Sequence, residues 1–244
     1  MPKRLRSQRR GKGKLCFSSN NFHFKSASCY RVIDDKERTD KIEGKIIDFI
    51  DDPARTTPTM VVKYVDGSKM TVPAPYGVRV GDVVYAGLTA PVKEGNILPL
   101  KSIPTGAVIY NIEKSPGDGG KFVRASGVSA RIVSKEFGEV TVKLPSKEFK
   151  KLNEDCRATI GIAAGFGRKE LPIVKAGKHF FMKRATGKYW PNVSGVAMNA
   201  INHPHGGKRR STQHTKNKSV SRRAPPGAKV GSISPRRTGR VKRV

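Results

Sequence analysis

From Ile42 onward the chain breaks into short apolar runs, several alternating with polar residues and interrupted by Gly, Pro or Asp-Gly at spacings of roughly 8 to 12 residues. Alternation puts successive side chains on opposite faces, so the pattern predicts half-buried strands rather than helices. Ile46-Ile47-Asp48-Phe49-Ile50 is one such run. Met60-Val61-Val62-Lys63-Tyr64-Val65 and Lys69-Met70-Thr71-Val72 flank Asp66-Gly67-Ser68, and Asp-Gly supplies the positive φ that a tight hairpin requires. Residues 79–85 read as a further strand, after which Pro91 and Gly95-Asn96 interrupt the pattern and set a boundary near residue 100. A second group of strands is predicted at 107–112, 122–125, 129–134, 140–144 and 157–162. Short Val- and Ile-rich strands with this punctuation belong to small barrels, so the fold class is all-β. One short helix is predicted between residues 178 and 188, opposed by its Gly and Thr. Beyond Trp190 no period of either kind persists, and the chain shows no internal repeat.

Charge divides the chain differently. Of a formal net charge of +30, residues 1–33 carry nine Lys and Arg and residues 171–244 carry eighteen, with no Asp or Glu in either stretch. Residues 34–170 hold 22 bases against 19 acids. A near-neutral body between two cationic arms is the consequence. Like charges without a core repel one another and stay open until a polyanion neutralises them, which points to nucleic acid. The low hydrophobic content of 36% reflects these arms, and the middle of the 244-residue chain retains enough apolar residues for two small domains.

Three widely spaced cysteines, Cys16, Cys29 and Cys156, form no disulfide framework of the kind small secreted cationic domains use. The basic opening lacks a following apolar run of signal-peptide length, and no window approaches a membrane span. Ser115-Pro116-Gly117-Asp118-Gly119-Gly120-Lys121 resembles a phosphate cradle, but its glycine spacing and Phe122 do not fit a nucleotide-binding loop, and a structural hairpin loop is the expected form. The histidines fall late, at His179, His203, His205 and His214, with only His23 outside this group. Neither that cluster nor Cys16, His23 and Cys29 has a full set of metal ligands, and His203 lacks a nearby carboxylate to orient it as a general base. No metal, cofactor or catalytic residue is therefore expected. A metal- or histidine-dependent nuclease or transferase using His203 and His205 is one alternative, and a chromatin-like DNA-binding protein, which charge alone permits, is another.

Blocks of sequence are more specific than composition. Asn192-Val193-Ser194-Gly195-Val196-Ala197-Met198-Asn199-Ala200-Ile201-Asn202-His203-Pro204-His205-Gly206-Gly207 resembles the L-two family of large-ribosomal-subunit proteins in its archaeal and eukaryotic form. The likeness extends through Ser7-Gln8-Arg9-Arg10-Gly11-Lys12-Gly13, Gly95-Asn96-Ile97-Leu98-Pro99-Leu100, Ile103-Pro104-Thr105-Gly106 and Asn111-Ile112-Glu113. It continues in Pro116-Gly117-Asp118-Gly119-Gly120-Lys121-Phe122, Cys156-Arg157-Ala158-Thr159-Ile160-Gly161, Arg223-Ala224-Pro225-Pro226-Gly227 and Thr238-Gly239-Arg240. Ser194 stands where the family usually has Arg, Asn202 where it has an acid, and Tyr110 where His is common.

The resemblance implies an oligonucleotide-binding (OB) barrel over 39–100 and an SH3-like barrel over 101–190, between a basic N-terminal arm, 1–38, and a basic C-terminal extension, 191–244. It implies binding to large-subunit rRNA in the cytoplasmic ribosome, beside neighbouring ribosomal proteins, with support for subunit association, for tRNA indirectly and for the architecture around the peptidyl-transfer centre. It implies no membrane partner. The residues expected at the RNA are Arg4, Arg9, Arg10, Lys12 and Lys14 in the head, and Lys121 and Arg157 in the body. In the tail they are His203, His205, Lys208, Arg209, Arg210, Arg222, Arg223, Arg236, Arg237 and Arg240. His203 matches a family histidine discussed in connection with peptide-bond formation.

Overall fold

The computed structural model of the chain describes residues 3–10, 17, 24–168, 170–207 and 219–237. They belong to two compact units, one within residues 21–173 and the other within 1–20 and 174–244. Three short α-helices occur among the described residues: α1 (Arg6–Arg9), α2 (Asp35–Thr39) and α3 (Ala176–Ala185). No helix among the described residues is long and apolar enough to cross a membrane.

The body is built from β1 (Lys41–Ile50), β2 (Thr59–Tyr64), β3 (Lys69–Pro73), β4 (Val83–Gly87) and β5 (Ile97–Pro99), followed by β6 (Val108–Tyr110), β7 (Ala130–Glu136), β8 (Glu139–Lys143), β9 (Phe149–Asn153) and β10 (Arg157–Ile160). Their ladder order is β3-β2-β1-β4-β5-β10-β6-β7-β8-β9. β1 pairs antiparallel with both β2 and β4, and β4 meets β5 in parallel. This is the OB barrel. β6 to β9 form an antiparallel meander, and β10 returns beside β6 to complete the SH3-like barrel.

Alternation along strands such as β1 and β8, with β10 buried throughout, generates two cores. Ile42, Ile46, Met60, Val62, Met70, Val72 and Val84 fill the first, and Ile109, Ile132, Val140, Val142, Leu152 and Ala158 belong to the second. Full burial of a side chain of this size contributes about 1.5–3 kcal/mol. On β5 the alternation serves both cores, because Ile97 packs into the first and its neighbour Leu98 into the second.

Several expectations shift. Residues 79–85 do not form one strand: Asp82 Oδ2 accepts the Arg79 N–H at 2.7 Å, Gly81 takes φ +97°, and the strand begins only at Val83. The run at 122–125 yields a single bridge, Ile112 with Phe122, because Val123 turns to φ +55°. The helix is Ala176–Ala185, ending before Gly187 at φ +62°. The stretch following residue 23, read as part of the basic arm, packs into the body. Tyr30 is 5% exposed in the first core and its hydroxyl lies 2.6 Å from both the Asn111 carbonyl and Thr159 Oγ1. Burial pushes that phenol well above its ordinary range.

Candidate nucleic-acid interface

The unit formed by the chain's two ends draws on seven Lys and Arg from residues 1–20 and eighteen from 174–244, with no Asp or Glu in either segment. Cations without carboxylates must use carbonyls, amides and rings. Leu5 anchors the head, 5% exposed, while the Lys3 N–H donates to the Ile201 carbonyl at 2.8 Å. Gln8 Oε1 accepts the Leu5 N–H at 2.8 Å, so the single turn α1 is held at its start by its own side chain. Arg6 donates to Asn192 Oδ1 and lies over the Tyr189 ring, 4.1 Å from its centroid. Phe17 stacks on the same tyrosine at a centroid distance of 6.0 Å.

These contacts leave Arg4, Arg9 and Arg10 exposed around a cleft of about 590 Å³ that also includes Arg6, Tyr189, Asn192, Asn202, His203 and Lys229. A second cleft of about 350 Å³ shares Arg4, Leu5 and His203 with the first. Cations, an aromatic ring and amide groups around one concavity suit a phosphodiester backbone with a stacked base. Sequence reading anticipated Arg4, Arg9, Arg10 and His203 here. It missed Arg6, Tyr189, Asn192 and Lys229, because the stacking of Arg6 on Tyr189 depends on how head meets tail.

His203 is held by backbone rather than by an acid. Its N–H donates to the Asn199 carbonyl at 3.2 Å, and its carbonyl accepts from Gly206 at 2.8 Å. The Gly207 N–H reaches the Met198 carbonyl at 3.1 Å, closing the loop. Gly195 lies against the imidazole so closely that a Cβ there would stand 2.3 Å from His203 Cε1. The His205 N–H donates to His203 Nδ1 at 3.0 Å, which fixes the neutral tautomer with its proton on Nε2. The two rings sit edge to face, 5.0 Å apart.

Burial first, and the neighbouring His205 charge second, hold the His203 imidazole below its ordinary value. The unfolded chain therefore takes up a proton first as the pH falls. Loop stability contributed by this group is fully present above the unfolded value of about 6.5 and is lost as the pH drops from there through the lower folded value. Imidazole NMR spectra of the full chain will show one histidine, removed by His203→Gln, titrating below the unfolded value. Titration of that resonance at or above the unfolded value would contradict this geometry.

In the body, Lys121 is exposed, whereas Arg157, expected at the RNA, is internal at 4% exposure. Its guanidinium binds Glu113 Oε1 at 2.8 Å and Glu37 Oε1 at 2.8 Å, and donates to the Arg31 carbonyl at 2.9 Å. Arg31 continues the network to Glu37 at 3.2 Å, to Asp66 at 2.7 Å and to Asp34. Burial acts to lower the Arg157 pKa, but the Glu113 hydrogen bond and the Glu37 charge raise it above its usual value. Arg157 is thus committed to the fold.

The glycine loop is committed in the same way. The Gly119 N–H donates to Glu113 Oε1 at 3.0 Å, and the N–H groups of Gly117 and Arg157 donate to Glu113 Oε2 at 3.3 and 2.8 Å. Asp118 Oδ1 takes the Gly120 N–H at 3.3 Å. The loop does cradle an anion, and that anion is the chain's own carboxylate.

In the tail, Ser219–Val220 pairs in parallel with Ser232–Ile233, and the exposed Arg222 and Arg223 lie on the intervening chain. Arg236 and Arg237 follow, also exposed, and His205 is half-buried. Lys12, Lys14, Lys208, Arg209, Arg210 and Arg240 lie outside the described residues, as do Cys16, His23 and His214. Tyr110, the residue standing where a histidine is common, is fully buried with its hydroxyl donating to the Pro73 carbonyl at 3.0 Å.

Comparison with known proteins converges on the same assignment. Residues 3–86 match the family described as Ribosomal Proteins L2, RNA binding N-terminal domain, and residues 93–227 match Ribosomal Proteins L2, C-terminal domain. The chain is 47% identical over 241 residues to large ribosomal subunit protein uL2 of Methanococcus aeolicus, covering 98% of this chain and all of the relative. It is 48% identical to the protein of the same name from Haloarcula marismortui, covering 98% of each chain, and 49% identical to that of Methanocaldococcus jannaschii, covering 98% of this chain and 99% of the relative. With both barrels, both family matches and these full-length relatives in agreement, the chain belongs to the ribosomal protein L2 family.

Proposed function

We propose that the chain is a structural constituent of the large ribosomal subunit in the cytoplasm, binding large-subunit rRNA with the acid-free unit that its two ends form. The observation that carries this reading is that Arg4, Arg9, Arg10 and Lys229 line a cleft with His203 while neither contributing segment contains an acid. Phosphate neutralises such an assembly better than any group the unit possesses. The barrels form the docking platform. Neighbouring ribosomal proteins, the small subunit across the subunit interface and, indirectly, tRNA are the further partners this reading assigns.

His203 acts architecturally. Its Nδ1 is engaged by the His205 N–H, leaving Nε2–H as a donor for an RNA oxygen near the peptidyl-transfer centre. In this reading the His203 imidazole is not a general base, because its Nδ1 already accepts the His205 N–H and no carboxylate orients it among the described residues.

Sedimentation of tagged chain from lysate at low Mg²⁺, where subunits separate, will place it with the large subunit, and recovery elsewhere would overturn the reading. Affinity of the purified chain for large-subunit rRNA will fall steeply with salt. Deleting residues 208–244, which hold thirteen Lys and Arg, will flatten that dependence, and an unchanged slope would show that this segment meets no phosphate.

A further inference from the structure

Phe137 lies at the tip of the β7–β8 hairpin, fully in solvent at 104% relative exposure. It takes φ +48° and Gly138 follows at φ +78°, the paired positive values of a two-residue hairpin turn. Asn, Asp or Gly suits the first of those positions, because a bulky side chain there is strained. An aromatic ring at this place contributes no packing to the body and disfavours its own turn. Strain and exposure in one residue indicate that the ring is used elsewhere.

The surroundings discriminate between partners. Glu136 and Glu139 flank the ring, and the Glu154 N–H donates to the Gly138 carbonyl at 3.1 Å, bringing the 153–155 turn alongside. Asp155 lies on that turn and pairs with Lys101 at 2.9 Å, and Lys151 pairs with Glu139 at 3.3 Å. Lys135 donates to the Lys101 carbonyl at 2.7 Å. Around Phe137, then, four carboxylates face three ammonium groups, on a chain whose net charge is +30. Phosphate gains nothing by approaching such a tip. An apolar socket bordered by Lys or Arg gains both a buried ring and paired charges.

We propose that the Phe137 tip is a plug that docks a second, basic protein, separately from the RNA-binding surface. The proposal uses the ribosomal reading only to suggest the setting. Aromatic anchors that are rigid and project from a hairpin lose little conformational freedom on binding, which suits this role.

The test places the photo-crosslinking amino acid p-benzoylphenylalanine at position 137 of the full chain in its own cells. After irradiation, the adduct is to be sensitive to protease and resistant to ribonuclease, and Glu136→Lys with Glu154→Lys is to lower its yield at least fivefold. An adduct lost on ribonuclease treatment, the absence of any adduct, or a yield indifferent to charge reversal would overturn the proposal. Phe137→Asn is to leave the thermal unfolding midpoint of the free chain unchanged or raised, since Asn suits the turn. A lowered midpoint would mean the ring supports the fold, and the proposal would fail. Sedimentation of unirradiated chain reads the ribosomal assignment by itself, so the two readings fail on different measurements.

Discussion

Glu113→Ala will destabilise the body by about 3–5 kcal/mol, a large share of the total stability of a domain this size. Glu113 is fully buried, and its two oxygens serve Arg157, the Arg157 backbone and two glycine amides together. Truncation leaves the Arg157 charge to Glu37 alone and strands the buried N–H groups of Gly119 and Arg157, along with the part-buried one of Gly117. Glu113→Gln will cost less, because one amide oxygen still accepts. Glu113→Leu combined with Arg157→Met will recover the part of the loss that comes from the unpaired Arg157 charge, while the backbone N–H groups stay unpaired. Urea unfolding of the full chain followed by far-ultraviolet circular dichroism measures all three. A loss below about 1 kcal/mol for the alanine variant would mean that the network is incidental to the fold.

The second large effect is at the histidine loop. Gly195→Ala will weaken binding to large-subunit rRNA on the order of tenfold, equivalent to about 1.4 kcal/mol, within the usual range for overpacking. Its Cβ would approach His203 Cε1 to 2.3 Å and Nδ1 to 2.4 Å, so the ring must leave its place and release the His205 N–H. In a His203→Ala background the added methyl meets no ring, and Gly195→Ala will change affinity by less than about twofold. Filter binding at fixed salt gives the four affinities. Equal effects in the two backgrounds would show that Gly195 acts without His203.

Local chemistry made much of the fold readable. Asp66-Gly67-Ser68 specified the β2–β3 hairpin, and Gly67 takes φ +83° while Asp66 Oδ1 accepts the Ser68 N–H at 2.9 Å. β9 was missed because Phe149-Lys150-Lys151-Leu152-Asn153 is an edge strand with one buried residue, and so has almost no apolar period to read. β5 was passed over because three residues between Asn96 and Leu100 are too few to show one. At the candidate site, charge marks which segments lack acids but not which of their cations the fold leaves exposed. Arg157 and Arg9 look alike in a sequence. Only the folded positions of Glu37 and Glu113, 120 and 44 residues away along the chain, separate an internal ion pair from a surface cation.

The shared wall of the two barrels also governs how the chain is made. β10 pairs with β5 through Ala158 and Leu98, and with β6 through Ile160 and Ile109, so the strand that completes the second barrel also covers the end of the first. At the usual pace of synthesis the roughly sixty residues between Leu98 and Ala158 take about 3–12 s to emerge. Throughout that interval the edge of β5 has no neighbour on its far side, and Leu98 has an incomplete core. The nascent first barrel is therefore an open template, vulnerable to pairing with another chain, until β10 arrives. Once it does, the two barrels close as one cooperative unit, and strain applied to either is borne by both.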